Sequence, residues 1–169
     1  MKTHFKITRP LLAEIRLDLE RPHPFAWERV GFIFAGVARV APDELLLLAH
    51  AYSPVADEDY LFDRSVGAMM GSDAIRKALQ TALQTQTAAF HVHMHAHDGR
   101  PDFSRVDLTE NAKFVPDFFK VGPQAPHGAL VLSQDSAVGQ VWLGRWQRPH
   151  PIDRMTAVGL PLAREGVFQ

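Results

Sequence analysis

Apolar residues recur along this chain at two different spacings, and the changes between them mark out its elements. Leu11, Leu12, Ile15 and Leu19 fall three or four residues apart, with Glu14, Arg16, Asp18 and Glu20 between them. That is the pattern of an amphipathic helix, ended by Arg21-Pro22-His23-Pro24. Residues 27–40 (WERVGFIFAGVARV) are β-branched and aromatic and predict a strand, with residues 44–52 (ELLLLAHAY) as its hairpin partner across Ala41-Pro42-Asp43. Residues 53–71 carry no period, are acidic at Asp57-Glu58-Asp59, and read as a loop or insertion. Ser72 is placed to cap a helix in which Ile75, Leu79 and Leu83 repeat every four residues, running to Thr85. Residues 88–95 alternate as a strand, and residues 104–120 predict a helix that Pro116 ends or kinks. Two further strands are expected at 129–133 and 138–146, and a last one at 157–162. Strands and helices mixed in this order predict an α+β or α/β fold, a mixed central sheet flanked by helices, in one domain spanning residues 1–169.

Composition narrows what such a domain can do. With 46% apolar and 22% charged residues, 169 residues suffice to bury a core. The formal net charge of −1 gives no basic footprint for nucleic acid. The first residues lack the apolar core of a signal peptide, and the longest apolar stretch, residues 30–38, falls far short of the roughly 20 a membrane span needs. A cytoplasmic protein without nucleic-acid or membrane partners is expected. The chain has no cysteine, which excludes disulfides, a thiol nucleophile and thiolate metal ligands. Any metal must be held by imidazole and carboxylate.

Four of the nine histidines fall in His91-Val92-His93-Met94-His95-Ala96-His97. On a strand they would share one face while Phe90, Val92, Met94 and Ala96 fill the other. Two histidines at i and i+2 bring their ring nitrogens close enough to share one metal ion, although isolated histidines are mostly ordinary surface or core residues. A tetrahedral catalytic centre needs three protein ligands, so at least one of the four is spare. Downstream, Ser104-x-x-Asp107 ahead of a helical stretch has the form of a capping box, a structural role that also turns the first helical turn back toward the imidazoles. Glu28, at the opening of an apolar strand, is the candidate acid/base for metal-assisted hydrolysis. An exposed edge carboxylate is its plain structural alternative.

Taken together, Trp27-Glu28-Arg29-Val30-Gly31-Phe32-Ile33-Phe34-Ala35-Gly36, then His93-x-His95, then Ser104-x-x-Asp107, the sequence resembles the JAMM (MPN+, or JAB) metalloprotease family. The gap between His95 and Ser104 is one residue longer than the family's usual spacing, and Ala96 stands where the family has proline. The resemblance implies the MPN fold and a Zn²⁺ ion, one per chain, held by His93, His95 and Asp107. It implies that Glu28 takes the proton of the attacking water and that Ser104 donates a hydrogen bond to the oxyanion. The implied reaction is peptide or isopeptide hydrolysis at the C-terminus of a ubiquitin-like protein, in deconjugation or precursor processing, with E1/E2-like proteins as further partners. Tyr60, Phe62, Met69 and Met70 lie where related enzymes carry a substrate-contacting insertion. Two other classes remain open at this point: a non-catalytic MPN-type scaffold or ubiquitin-like-binding domain, and a metalloenzyme of another fold such as a cupin or non-haem iron oxygenase.

Overall fold

The structure, a computed structural model, describes residues 1–24, 26–63 and 67–159. Its elements run β1 (Lys2–Thr8), α1 (Arg9–Leu19), β2 (Val30–Ala41), β3 (Glu44–Pro54), α2 (Ser72–Thr85), β4 (Ala88–Met94), α3 (Arg105–Phe114), β5 (His127–Leu132), β6 (Ala137–Trp142), β7 (His150–Pro151) and β8 (Arg154–Val158). All eight strands form one mixed sheet in the order β7-β6-β5-β4-β2-β3-β1-β8. Parallel pairs are β1 with β3 and β8, and β4 with β5. The segment joining β7 to β8 touches both ends of the sheet. Ile152 N–H donates to Gly139 O on β6 (2.9 Å) and Asp153 N–H to Thr3 O on β1 (3.1 Å), so the sheet curls toward closure.

Alternation along the central strands sends side chains to two cores. Ile33 and Ala35 of β2, with Phe90, Val92 and Met94 of β4, face a core shared with Phe5, Leu130 and Leu132 and covered by Ile15 and Leu19 of α1. Val30, Phe32 and Phe34, with Ala89, face the second core under α2 and Phe118. Full burial of a residue such as Phe90 contributes on the order of 1.5–3 kcal/mol. The mixed α+β architecture agrees with the sequence pattern, and no helix among the described residues is long and apolar enough to cross a membrane.

Several boundaries differ from expectation, each for a local reason. β1, which the hydrophobic pattern above does not include, buries Thr3, Phe5 and Ile7 in strict alternation. β2 begins at Val30 rather than at residue 27, because Trp27 N–H and Glu28 N–H both donate to Gly67 O (2.8 and 3.0 Å) instead of to a strand. The N-cap of α2 is Gly71, without a side-chain cap bond, so Ser72 is not the cap. The buried face of α2 is Ala74, Ala78 and Ala82, while Leu83 is exposed: small side chains let the helix approach the sheet closely. β4 ends at Met94, one residue short of the predicted span. β6 ends at Trp142, since Gln147 N–H donates to Gly144 O (3.0 Å) in the following turn and Trp146 is exposed. α3 gives way to a 3-10 helix over Val115–Lys120, in agreement with the break expected at Pro116, which has no N–H to continue the α-helical ladder. The last strand is residues 154–158, and positions 160–162 of the predicted strand lie outside the described residues.

His127, fully buried at the start of β5, supports the sheet as a neutral ring: Nδ1 accepts from Ala89 N–H (3.1 Å), and Nε2 donates to Gly122 O (3.0 Å). Burial pushes its pKa down to about 4 against a small opposing effect of the Gly122 carbonyl. Below pH 6.5 the unfolded chain therefore binds a proton that the folded chain refuses, so stability falls as pH drops from about 6.5 to about 4, by up to about 3 kcal/mol from this group. Chemical-denaturation curves across that window should show wild type losing stability more steeply than His127→Gln, by about one proton in slope. Equal slopes would contradict this role.

Candidate metal centre

The site is built at the edge of the β2–β4 ladder. The two strands are antiparallel, with Val30 opposite His93 and Phe32 opposite His91. The same register carried two residues beyond the ladder sets Glu28 across from His95. Alternation then brings the imidazoles to the face that carries Val30 and Phe32. The rings follow one another at centroid spacings of 5.8 Å (His91–His93), 5.1 Å (His93–His95) and 5.9 Å (His95–His97), so all four share a side as the strand pattern predicts. Their environments differ. His91 and His93 are buried, His95 is partly exposed, and His97 lies exposed at the turn with its Nδ1 2.8 Å from Asp98 O.

Glu28, His93 and His95 each present a ligand atom within 4.8 Å of the others. His95 Nε2 is 3.9 Å from Glu28 Oε1, and His93 Nε2 is 3.5 Å from Asp107 Oδ2. Asp107 arrives from the first turn of α3 through the expected capping box: Ser104 N–H donates to Asp107 Oδ2 (2.7 Å) and Asp107 N–H to Ser104 Oγ (3.1 Å). Such a cap is worth about 1 kcal/mol and also fixes where the carboxylate points. Burial works to raise the Asp107 pKa, but the adjacent His93 ring and the hydrogen bonds of Ser104 override it and hold the carboxyl well below the usual carboxylate range. All five residues singled out in the sequence, Glu28, His93, His95, Ser104 and Asp107, line one cavity of about 590 Å³.

These residues suit a metal in kind. The Nε2 of His93 is buried, and its nearest acceptor, Asp107 Oδ2 at 3.5 Å, lies beyond good hydrogen-bond distance, which leaves the nitrogen poorly satisfied and available to a ligand. Two neutral nitrogens with carboxylate oxygens are the donor set of a zinc site without thiolates. The separations of up to 4.8 Å exceed the roughly 3.4 Å between donors on one tetrahedral zinc. Glu28 and His95, the more exposed members, have the freedom to adjust.

Four residues shape the site in ways the sequence does not assign. Buried Arg29 ties the chain entering the site, donating to Arg21 O (3.0 Å), Pro22 O (2.8 Å) and Asp57 (2.6 Å). Gly67 supports Glu28 from the far side: a Cβ there would stand 2.6 Å from Glu28 Oε2. His91 and Asn111, almost wholly buried at the inner end of the cavity, leave both ring nitrogens of His91 and the Nδ2 of Asn111 without hydrogen-bond partners among the described residues. Burial, then the neighbouring His93, pushes the His91 pKa down to about 3, so its ring is neutral. Of these, only His91 is marked in the sequence, by its place in the histidine strand, and nothing there assigns it a role.

The four insertion residues separate. Tyr60 is buried, its hydroxyl accepting from Val30 N–H (2.8 Å), so it secures the start of β2 instead of facing a substrate. Met69 and Met70 line the cavity, and Phe62 is exposed.

Two glycine substitutions separate folding from site geometry. At Gly31 a Cβ would stand 2.4 Å from the hydroxyl oxygen of Tyr52, whose O–H donates to Asp18 (2.6 Å) and is not free to swing away. Gly31→Ala should cost about 1–3 kcal/mol in denaturant unfolding. Gly67→Ala meets only the flexible end of Glu28 and should cost about 0.5 kcal/mol or less while moving that carboxylate, visible as a shifted side chain in a crystal structure. The reverse order of stabilities would contradict this account.

No protein-family model matches the chain, and no curated protein matches it. Among solved structures, the Trichoplax adhaerens STIL N-terminal domain is similar over 80% of this chain and 40% of its own length, at 10% identity and a TM-score of 0.39. This chain thus spans less than half of that neighbour, and a likeness at this level carries no inference about fold or activity.

Proposed function

We propose that this chain is a zinc-dependent peptidase or isopeptidase of the JAMM/MPN+ type, with the MPN fold, that cleaves after the C-terminus of a ubiquitin-like protein. The observation that carries the reading is the convergence of Glu28, His93 and His95 within 4.8 Å, with Asp107 3.5 Å from His93. His93, His95 and Asp107 are the proposed ligands. A zinc ion bound there would supply Lewis acidity toward a substrate carbonyl and toward water.

The chain's own groups account for the rest of the chemistry. Glu28 Oε1, 3.9 Å from His95 Nε2 and with Gly67 leaving room for its carboxylate, is the group that would take a proton from water and return it to the departing amine. Ser104 Oγ accepts from Asp107 N–H and retains its own hydrogen for donation to a developing oxyanion at the cavity mouth. Asp107, ionised and fixed by the cap, presents its carboxylate 3.5 Å from His93 Nε2, so that the two could close on one ion. Met69, Met70 and exposed Phe62 offer apolar contacts for an extended C-terminal tail, and E1/E2-like proteins are the proposed source of conjugates.

Zinc titration and hydrolysis of ubiquitin and small β-grasp proteins carrying a C-terminal aminocoumarin amide test this together. Wild type should bind one zinc and cleave at least one probe. Glu28→Gln should keep zinc and lose roughly 10²–10⁴-fold in turnover, and His93→Ala should lose zinc. Loss of zinc in Glu28→Gln with retention in Asp107→Asn would make Glu28 the carboxylate ligand and contradict its proton role. Zinc binding without cleavage of any probe would contradict the substrate assignment.

A further inference from the structure

A second cavity, of about 520 Å³, lies on the opposite face of the sheet from the histidine cleft, inside the curl between α1, β5, β6 and β8. Its volume falls within the roughly 300–1,000 Å³ of small-molecule sites. Ile33, Leu130, Leu132, Ile152 and Met155 give it an apolar floor. Two arginines, Arg16 of α1 and Arg100 from the turn after β4, stand on its walls.

Arg16 is incompletely satisfied. Its Nη2 donates to the neutral carbonyl of Ser133 (3.1 Å), while its Nε–H is sealed from solvent and has no acceptor among the described residues. Arg16 is partly buried and its guanidinium has no ion pair among the described residues, and a carboxylate is the group that matches its planar fork. The two acidic residues on the same cavity are already engaged. Asp153 accepts from Thr3 N–H (2.7 Å) and Thr3 Oγ–H (3.2 Å), and Asp135 from Gly99 N–H (2.7 Å) and Ser133 Oγ–H (3.3 Å). Their negative charge disfavours a polyanion such as a phosphate ester. An exposed Arg100 adds one cation at the rim.

The geometry points to a binding site for a medium-chain fatty carboxylate, its head group between the guanidinium groups of Arg16 and Arg100 on the cavity wall, its chain against Ile33, Leu130, Leu132, Ile152 and Met155. A single negative charge on an apolar body matches both walls. The site shares no residue with the histidine cleft, so it stands or falls separately from the proposed hydrolase.

Calorimetric titration with decanoate, and with decanol as its uncharged counterpart, tests this on the full chain. Decanoate should bind at one site per chain, about tenfold or more tighter than decanol. NMR shifts should fall on the methyl groups of Ile33, Ile152 and Met155, not on the rings of His93 and His95. Arg16→Gln should weaken decanoate by about tenfold or more and leave decanol unchanged. Met155→Trp, which fills the cavity and keeps Arg16, should block both ligands while leaving zinc titration unaltered, so the inference remains testable if Arg16→Gln fails to fold. Absence of saturable decanoate binding, equal affinity for decanol, shifts confined to the histidine rings, or an unaltered decanoate affinity in Met155→Trp would each overturn it.

Discussion

The pairing of Val30 with His93 is the constraint on which the candidate site depends. Side chains in a strand alternate, so a slip of one residue between β2 and β4 would send His93 and His95 to the opposite face and the Phe90–Val92 row into the cleft. The register is held because each face is buried under its own core, one beneath α1 and the other beneath α2. It is also held at the entry to β2, where Tyr60 bonds to Val30 and Arg29 grips the preceding chain. Hydrophobic burial, which carries no directional information, thereby fixes the direction of polar groups to within a hydrogen-bond length.

Around that register the structure places polar groups that ordinary folding does not require. Both ring nitrogens of His91 and the Nδ2 of Asn111 lack partners among the described residues, at a cost on the order of 1–3 kcal/mol each, and the Nε2 of His93 has only a 3.5 Å approach to Asp107. A core selected for stability alone would fill such positions with apolar side chains. Capping by Ser104 and Asp107 contributes in the opposite direction, stabilising α3 while delivering a carboxylate to the cleft. A motif that reads as structure in one sense thus also reads as chemistry, because the bonds that cap the helix also aim the group.

Much of this was legible in the sequence, and the remainder was hidden for identifiable reasons. Strict alternation at residues 88–95 locates the histidine face, and Ser104-x-x-Asp107 predicts a cap that forms as expected. Hydrophobicity ranks Ile75, Leu79 and Leu83 above alanine, yet Ala74, Ala78 and Ala82 face the sheet, because close packing rewards small volume there. β2 starts later than the sequence pattern predicts because the bonds of Trp27 and Glu28 go to Gly67, a partner distant in sequence. Gly67 itself, Arg29 and Asn111 matter through three-dimensional proximity, which no local period encodes. Tyr60 reads as a candidate substrate contact in an irregular segment, but its hydroxyl bonds to the backbone of Val30.

The central claim is that the imidazoles of His93 and His95 form one metal centre with a neighbouring carboxylate. Anomalous diffraction at the zinc edge from crystals grown with Zn²⁺ tests it directly. The account predicts one strong peak within coordination distance of His93 Nε2, a His95 ring nitrogen and a carboxylate oxygen. No peak in that cleft, or a peak held by other residues with the His93 ring vacant, would contradict it.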